Sequence, residues 1–244
     1  MTTFEDTWAA VSDVDGWMTE GQARKLFDAA SGCPPGGVIV EIGSFHGRST
    51  IVLASACPDN VTVVAIDPHA GNDRGPQELD GYEAEASEDH ETFLRNLAAA
   101  GVADRVTHLR RSSDDALTDI DGAVDVLYVD GAHRYRPAKR DIEQYGVKVR
   151  NGGTMLIHDS FSSIGVTAAI CRLLVWSSRW RYDSRSRSLA VYRATDDVDR
   201  VENAARQLAQ LTWFAKNIAL KVLLTAGLGR VLHRLGRDTP EWPY

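Results

Sequence analysis

Two short segments place acidic and imidazole side chains where apolar runs end. The segment YVDGAHR contains Asp130 and His133, and the segment LIHDS contains His158 and Asp159. Carboxylate oxygens suit Mg²⁺, which commonly binds one or two carboxylates together with water and substrate oxygens. Imidazole is a poorer Mg²⁺ ligand, but it exchanges a proton near neutral pH. The residue types therefore predict a divalent-ion site with a candidate base beside it.

Each of these segments follows a run that is typical of a buried β-strand. The run AVDVLYV precedes Asp130 and the run TMLI precedes His158, and VIVEIG, VTVVAID and RVTHLR come earlier in the chain. Segments with helical spacing, such as STIVLASAC and HETFLRNLAAAG, separate the runs. Strands that alternate with helices predict a parallel sheet covered by helices on both faces. The acidic segments then meet at the carboxyl edge of an α/β sheet.

The flanking segments extend this α/β plan at both ends. Thr19 and Gln22 form the spacing of a capping box, which predicts a helix in TEGQARKLFDAA. RWRYDSR and SLAVYRA predict a hairpin that closes one edge of the sheet. We therefore divide the chain into an N-terminal helical cover at 1–36, an α/β domain at 37–195 and a C-terminal helical extension at 196–244.

A glycine-bearing loop follows the first strand, in the sequence EIGSFHGRST. Gly43 and Gly47 lie where the backbone turns tightly and a ligand can approach its amide groups. The spacing is G-x-x-x-G and Glu41 ends the strand, so the loop differs from the G-x-G-x-x-G of dinucleotide binders. The second strand ends in AIDPH, where Asp67 can accept both ribose hydroxyls of a nucleoside cofactor.

These motifs resemble those of the class I S-adenosylmethionine-dependent methyltransferases over about residues 38–194. The resemblance implies a Rossmann-like sheet of seven strands, the last of them antiparallel, with S-adenosyl-L-methionine as cofactor. It implies that Glu41, Gly43 and Ser44 line the methionine part of the cofactor, and that Ser49 caps the following helix near the cofactor carboxylate. It also implies that Asp67 binds the ribose and that Ser113 and Asp114 lie near the adenine.

The acidic segments are similar to those of the metal-dependent sugar O-methyltransferases related to macrocin and mycinamicin methyltransferases. This resemblance implies that Asp130 and Asp159 bind Mg²⁺ and that His133 is the general base. His158 stands where the relatives carry a second carboxylate, so it is a candidate Mn²⁺-tolerant ligand, a bystander or a second base. The implied reaction methylates a hydroxyl of a sugar or glycoside. Actinobacterial enzymes that methylate polysaccharide mannosides are a narrower match.

Two other functions remain open from the sequence. A metal-dependent O-methyltransferase for a phenolic or catechol-like small molecule would share the same cofactor and ion residues. A non-catalytic protein that binds S-adenosylmethionine and a partner would also keep the glycine loop. An oxidoreductase is disfavoured because the loop lacks the dinucleotide-binding spacing.

Two segments are candidates for covering the site. The polar stretch 68–92 is longer than a usual connection, so we expect either a lid that carries Tyr82 or a disordered insertion. His69 and Asp73 are candidates to face substrate. At the other end, Trp17 and Met18 are either a cover for the cofactor cleft or a core pair that anchors a helix.

The C-terminal tail repeats apolar residues at nearly helical spacing, among basic ones. Leu208, Leu211, Phe214 and Leu220 predict packing on the domain or on a second subunit, as in a homodimer. Contact with an anionic membrane surface is the second reading, because Lys216, Lys221, Arg230 and Arg234 make the helix basic.

Composition excludes some function classes. The formal net charge of -7 gives no general attraction to nucleic acid. Three scattered cysteines do not suggest a disulfide framework, which fits a reducing compartment. The segment MTTFEDTWAA lacks a basic stretch leading into an apolar run, and no stretch reaches the roughly 18 to 20 apolar residues of a membrane span. We therefore expect a cytoplasmic protein.

Overall fold

The computed structural model describes residues 2–70 and 83–225, which contain one seven-stranded sheet. The strands are β1 (Val38–Ile42), β2 (Thr62–Ile66), β3 (Val106–Leu109), β4 (Val124–Val129), β5 (Val149–Ile157), β6 (Trp180–Ser186) and β7 (Leu189–Ala194). Their order across the sheet is β3-β2-β1-β4-β5-β7-β6. The first five strands run parallel, and β7 is antiparallel to both of its neighbours. The carboxyl ends of β1, β2, β4 and β5 therefore share one edge.

Helices cover both faces of this sheet. Within the described residues they are α1 (Phe4–Ala10), α2 (Glu20–Ser31), α3 (Arg48–Ala56), α4 (Glu83–Ala99), α5 (Ser113–Ala116), α6 (Tyr135–Gly146), α7 (Ile164–Leu173), α8 (Arg200–Leu208) and α9 (Leu211–Thr225). Successive strand side chains point to opposite faces. Accordingly, Ile39 packs in the cluster with α1 to α4, whereas Val40 and Ile42 pack in the cluster with α5, α6 and α7. The architecture expected from the sequence, a Rossmann-like α/β fold, is confirmed.

Three details differ from the sequence expectations. Helix α1 was not expected, and β5 begins at Val149 instead of Thr154. Helix α4 begins at Glu83, so residues 83–92 of the segment predicted as a lid are helical. Phe93 and Leu97 bury the apolar side of α4, and the helix-forming residues before them extend it backward. Tyr82 and Asp73 lie outside the described residues.

The N-terminal cover packs against the α3 side of the sheet. The backbone N–H of Thr19 donates to Gln22 Oε1 at 2.8 Å, as the capping box predicts. Met18 is 8% exposed and belongs to the core, while its neighbour Trp17 remains 46% exposed. Met18 is therefore a core residue, and the role of Trp17 as a cover for the cofactor cleft stays a prediction.

The start of the C-terminal extension packs on the domain. Leu211, Trp213 and Phe214 lie against the cluster that holds α6 and α7, and Leu208 is left exposed. The side chain of Leu220 and the residues from 226 onward are not among those described. Contact of this extension with a second subunit or a membrane surface stays a prediction. No helix among the described residues is long and apolar enough to cross a membrane.

Candidate active site

The glycine loop and the first acidic segment touch each other at the carboxyl edge of the sheet. β1 and β4 are neighbours, so the residues that follow them lie side by side. Gly43 adopts φ 86°, and a Cβ built on it would lie 2.2 Å from the carbonyl oxygen of Asp130. Only glycine fits this close approach. The loop predicted to hold a cofactor is therefore in direct contact with the segment that carries Asp130.

The four residues singled out at the two strand ends lie in one group. His158 Nδ1 is 2.9 Å from Asp130 Oδ1 and 3.9 Å from Asp159 Oδ1. His133 Nδ1 is 3.1 Å from Asp159 Oδ2. We call Asp130, His133, His158 and Asp159 the acidic set. Imidazoles and carboxylates alternate along the set, and neighbouring groups lie 2.9 to 3.9 Å apart.

A turn with unusual backbone geometry aims Asp159 into this set. Asp159 and Phe161 have φ angles of 55° and 57°, which side-chain-bearing residues rarely adopt. Such residues cost on the order of 1–3 kcal/mol and persist where the surrounding structure holds them. Here the N–H groups of Ser162 and Ser163 donate to the Asp159 carbonyl oxygen at 3.1 and 3.0 Å. The chain thus turns sharply after β5 while the carboxylate stays beside the histidines.

The charge on His158 follows from its surroundings. Burial alone would lower the pKa of this imidazole, but the charge and contact of Asp130, with a further contribution from Asp159, raise it to about 9. Burial likewise opposes ionisation of Asp130, yet His158 and then His133 hold the pKa of that carboxyl below its ordinary value. His158 is therefore a buried cation between two carboxylates at neutral pH.

Two carboxylates of the acidic set suit a magnesium ion. Asp159 Oδ1 is buried and has no hydrogen-bond partner among the described residues. Mg²⁺ commonly uses one or two carboxylates and fills its other positions with water and substrate. His158 Nδ1 faces Asp130 Oδ1 at 2.9 Å, and its role as a ligand stays a prediction. Within residues 2–70 and 83–225, no group of three or more His, Cys, Asp or Glu side chains is arranged as a metal site.

Sequence reasoning missed the residues that hold the acidic set in place. The Tyr128 hydroxyl donates to Asp130 Oδ2 at 2.7 Å, and Gln22 Nε2 lies 3.4 Å from His158 Nε2. Gln22 Nε2 also donates to Ser188 Oγ at 2.9 Å. Tyr128 stands two positions before Asp130, on the same side of the strand, so the strand period could have found it. Gln22 is 136 residues from His158, and no local pattern connects them.

Glu41 anchors the helix that follows the glycine loop. The hydroxyls of Ser49 and Thr50 donate to its two carboxyl oxygens. Burial raises the pKa of Glu41 to about 8, although these hydrogen bonds favour its ionised form. The helix cap is Gly47, at φ 87°, so the prediction that Ser49 caps α3 is wrong. Ser49 is the second residue of the helix, and its hydroxyl donates to the Glu41 carboxylate instead.

Asp67 shapes the glycine loop from the end of β2. One oxygen accepts from the N–H groups of Ser44 and Phe45 at 2.9 and 2.8 Å, and the other accepts from the His69 N–H at 2.8 Å. The Ser44 hydroxyl is buried and has no partner among the described residues, which leaves a polar atom for a ligand. Contact of Asp67 with a ribose stays a prediction.

The remaining predicted site residues face other parts of the protein. The Ser113 hydroxyl donates to Asp141 Oδ1 at 2.5 Å, and Asp114 pairs with Arg140, so both are engaged with α6. Their contact with adenine stays a prediction. His69 is 4% exposed and packs on Phe93, so the suggestion that it faces substrate does not match its place in the structure.

Comparison with known proteins identifies the fold. Residues 40–160 match the model of a family described as a methyltransferase domain. Among similar solved structures is cofactor-bound Rv0187 from MTB, with a TM-score of 0.55, 18% identity, and coverage of 80% of this chain and 88% of that one. Another is the O-methyltransferase TomG from Streptomyces achromogenes in complex with SAM, with a TM-score of 0.54, 20% identity, and coverage of 79% and 89%.

An O-methyltransferase from Bacillus cereus in complex with SAH is similar at a TM-score of 0.54 and 16% identity, covering 79% of this chain and 90% of that one. At these identities the likeness shows the class I methyltransferase fold alone. The family match over residues 40–160 agrees with that fold.

Proposed function

We propose that this protein transfers the methyl group of S-adenosylmethionine to a hydroxyl of a sugar or glycoside. In this proposal His133 is the general base, and Asp130 and Asp159 hold a divalent ion. The observation that carries it is the contact between the glycine loop and the acidic set, where a Cβ on Gly43 would lie 2.2 Å from the carbonyl oxygen of Asp130.

The glycine loop supplies the cofactor-binding residues of the proposal. Gly43 lets the backbone approach Asp130, and the buried Ser44 hydroxyl is available to the methionine part. Asp67 fixes the loop through the amides of Ser44 and Phe45, at the strand end where ribose binding is proposed. S-adenosylmethionine supplies an electrophilic methyl group when bound. The rate then depends on positioning and on electrostatic stabilisation of the attacking oxygen.

His133 is placed to take the proton of the acceptor hydroxyl. Its Nδ1 lies 3.1 Å from Asp159 Oδ2, which fixes the ring and leaves Nε2 as the nitrogen that accepts a proton. The side chain is 49% exposed, so an acceptor can reach it. General-base catalysis of this kind contributes about 10²- to 10⁴-fold in rate.

Asp130 and Asp159 fit Mg²⁺, or Mn²⁺, through oxygen atoms. A bound divalent ion would lower the pKa of the acceptor hydroxyl, as such ions do for water. Tyr128 orients Asp130 from one side, and His158 holds both carboxylates from the other. His158 is therefore a positioning residue in this proposal, in place of the ligand role considered from the sequence.

The test is transfer of a labelled methyl group from S-adenosylmethionine to a panel of methyl glycosides and catechols. We expect transfer to a glycoside that EDTA abolishes and Mg²⁺ restores. Asp159→Asn should lose this transfer, while Asp104→Asn, which changes an exposed carboxylate in the turn before β3, should retain it.

Three outcomes would change the proposal. Full activity after metal removal would exclude the ion, and activity on catechols with none on glycosides would favour the phenolic alternative. If calorimetry detected no binding of S-adenosylmethionine, the methyltransferase reading itself would fail.

A further inference from the structure

The start of α7 contacts both segments that carry the acidic set. Ser163, the N-cap residue of this helix, donates its backbone N–H to the Asp159 carbonyl oxygen at 3.0 Å. The hydroxyl of the same residue donates to the His133 carbonyl oxygen at 3.1 Å. Ser163 therefore joins the turn after β5 to the loop after β4.

The hydroxyl of Ser163 does not cap its own helix. A serine at this position usually accepts a hydrogen bond from an N–H in the first turn, and that bond stabilises the helix end. In α7 the side chain of Ser163 makes no such bond, and its hydroxyl is bonded to His133 instead. Loss of the hydroxyl should therefore affect the position of His133 more than the stability of α7.

Gly165 brings the backbone of α7 directly against the segment that carries His133. A Cβ built on Gly165 would lie 2.3 Å from the His133 carbonyl oxygen and 2.6 Å from the Tyr135 amide nitrogen. These distances are shorter than van der Waals contact, so a side chain at this position would push the two segments apart. Gly165 is not among the glycines with a positive φ angle, so the close approach alone requires glycine here.

These contacts bear on the contact between the proposed base and Asp159. His133 Nδ1 lies 3.1 Å from Asp159 Oδ2, and the His133 side chain is half exposed. Because solvent surrounds much of this side chain, its distance from Asp159 depends on how far apart the two backbone segments lie. Ser163 bonds to both segments, and Gly165 packs against the carbonyl group of His133. The start of α7 therefore sets the separation of the base from Asp159.

We propose that Ser163 and Gly165 are positioning residues that hold His133 at hydrogen-bond distance from Asp159. This inference rests on the proposed function and identifies the part of the chain that orients its base. Neither residue has to touch the acceptor or S-adenosylmethionine. Their contribution is to kcat, because a misplaced base slows proton transfer while substrate binding stays the same.

Two substitutions of Ser163 separate this role from a general effect on folding. Ser163→Ala removes the hydroxyl and should lower kcat about 3- to 10-fold, the factor that a lost hydrogen bond produces. The acceptor KM, the Kd of S-adenosylmethionine and the Tm should hardly change, since no helix cap is lost. Ser163→Thr keeps a hydroxyl and should restore kcat to within about twofold of the wild type. An unchanged kcat in Ser163→Ala, or a Ser163→Thr protein that is equally slow, would overturn the role of the hydroxyl.

Gly165→Ala tests the close approach and has a matched control in α6. The added Cβ must displace the His133 carbonyl group, and a shift of about 1 Å in a reacting group costs about 100-fold in rate, so kcat should fall by about that factor. Gly146→Ala adds the same methyl group where it would meet Trp180 at 3.6 Å, an ordinary contact, and should leave kcat within about twofold. A Gly165→Ala protein as fast as Gly146→Ala would remove Gly165 from the proposal.

Crystal structures of the variants give a second readout that does not need turnover. The distance from His133 Nδ1 to Asp159 Oδ2 should lengthen beyond about 3.5 Å, the limit of a hydrogen bond, in Ser163→Ala and Gly165→Ala. It should be retained in Ser163→Thr and Gly146→Ala. An unchanged distance in both of the first two variants would overturn the positioning role.

Failure of this inference differs from failure of the proposed function. Glycoside methylation that is insensitive to Ser163→Ala and Gly165→Ala would remove the positioning role and leave the function standing. A wild type that methylates no glycoside, together with a distance that lengthens in both variants, would remove the function and leave the link between α7 and His133 standing.

Discussion

The protein contains two groups of histidines whose chemistry is opposite. In the acidic set, His133 and His158 each face a carboxylate, at 3.1 and 2.9 Å. In the second group, which we call the histidine cluster, His69, His90 and His108 pack on one another with ring centroids 5.0 to 5.2 Å apart. Phe93 completes the cluster from α4.

The pKa of the imidazole moves in opposite directions in the two groups. Burial favours the neutral ring in both places. In the histidine cluster, burial and then the charges of His69 and His90 lower the pKa of His108 to about 4. In the acidic set, the carboxylates outweigh burial and raise the pKa of His158 to about 9. Burial therefore does not by itself decide whether the pKa of a histidine is raised or lowered, because nearby carboxylates reverse its effect at His158.

The two groups also differ in what they hold. The acidic set joins the ends of β4 and β5, where the proposed reaction occurs. The histidine cluster joins β3, α4 and the turn after β2, and the His69 N–H donates to Asp67 at 2.8 Å. The acidic set thus holds charged side chains where the proposed reaction occurs. The histidine cluster consists of neutral rings that pack beside Asp67, at the end of the glycine loop.

The largest expected effect distinguishes the two groups by activity. His133→Ala removes the proposed base and should lower kcat by about 10²- to 10⁴-fold. The Kd of S-adenosylmethionine should hardly change, because His133 contacts Asp159 and not the glycine loop. His90→Ala, the same change in the histidine cluster, should leave kcat within about twofold, since no reacting group is removed. An equal loss of kcat in both variants would show that the acidic set and the histidine cluster do not differ in their role in catalysis.

A second pair of variants compares the groups by stability in urea, with EDTA present. His158→Leu leaves two carboxylates without their buried cation, and removal of one partner of such a pair costs about 3–5 kcal/mol of unfolding free energy. His108→Leu removes a neutral ring whose Nε2 has no partner among the described residues, so its effect should be small or stabilising. Equal destabilisation by the two changes would contradict the assigned charges.

Much of the fold could be predicted from the sequence. The apolar runs that became β1, β2 and β4 are short and almost wholly buried, so their hydrophobic pattern is unambiguous. The hairpin of β6 and β7 was equally clear. Helix α1 was missed because its seven residues bury only Phe4 and Thr7, and two side chains make too weak a periodic signal.

The candidate site was predictable only where its residues follow strand ends. Parallel strands in a known order bring Asp130 and Asp159 together, and the sequence supplies that order by resemblance. The sequence could not show that His158 would lie between these carboxylates and carry a proton, because that depends on distances of a few ångströms. For the same reason Ser49 was read as a helix cap, although its hydroxyl serves Glu41.

A smaller effect is expected from Tyr128→Phe within the acidic set. The variant loses the hydroxyl that donates to Asp130 Oδ2 at 2.7 Å, while His158 still holds the other oxygen. A hydrogen bond of this kind contributes about 1–2 kcal/mol, so kcat should fall by about 5- to 30-fold. Kinetics with the methylated glycoside measure this. An unchanged kcat would show that His158 alone positions Asp130.

The smallest expected effect is a pH dependence that belongs to the histidine cluster. The pKa of His108 is about 4 in the folded protein, below its value of about 6.5 in an unfolded chain. Its neutral form therefore stabilises the fold fully above pH 6.5, and this contribution is lost as the pH falls toward 4. The pKa values of His69 and His90 are lowered in the same direction.

Melting curves of the wild type and His108→Leu between pH 7.5 and pH 4.5 measure this term. Between these two pH values the difference in pKa corresponds to about 2 to 3 kcal/mol, and partial exposure of the His108 ring screens part of it. If about 1 kcal/mol remains, the wild type should lose about 2–4 °C more than the variant across that range. Carboxylates titrate in both proteins, so the difference between the two curves isolates His108. A difference in Tm that stays constant with pH would show that protonation of His108 does not destabilise the fold. The contrast between the two groups would then depend only on the raised pKa of His158.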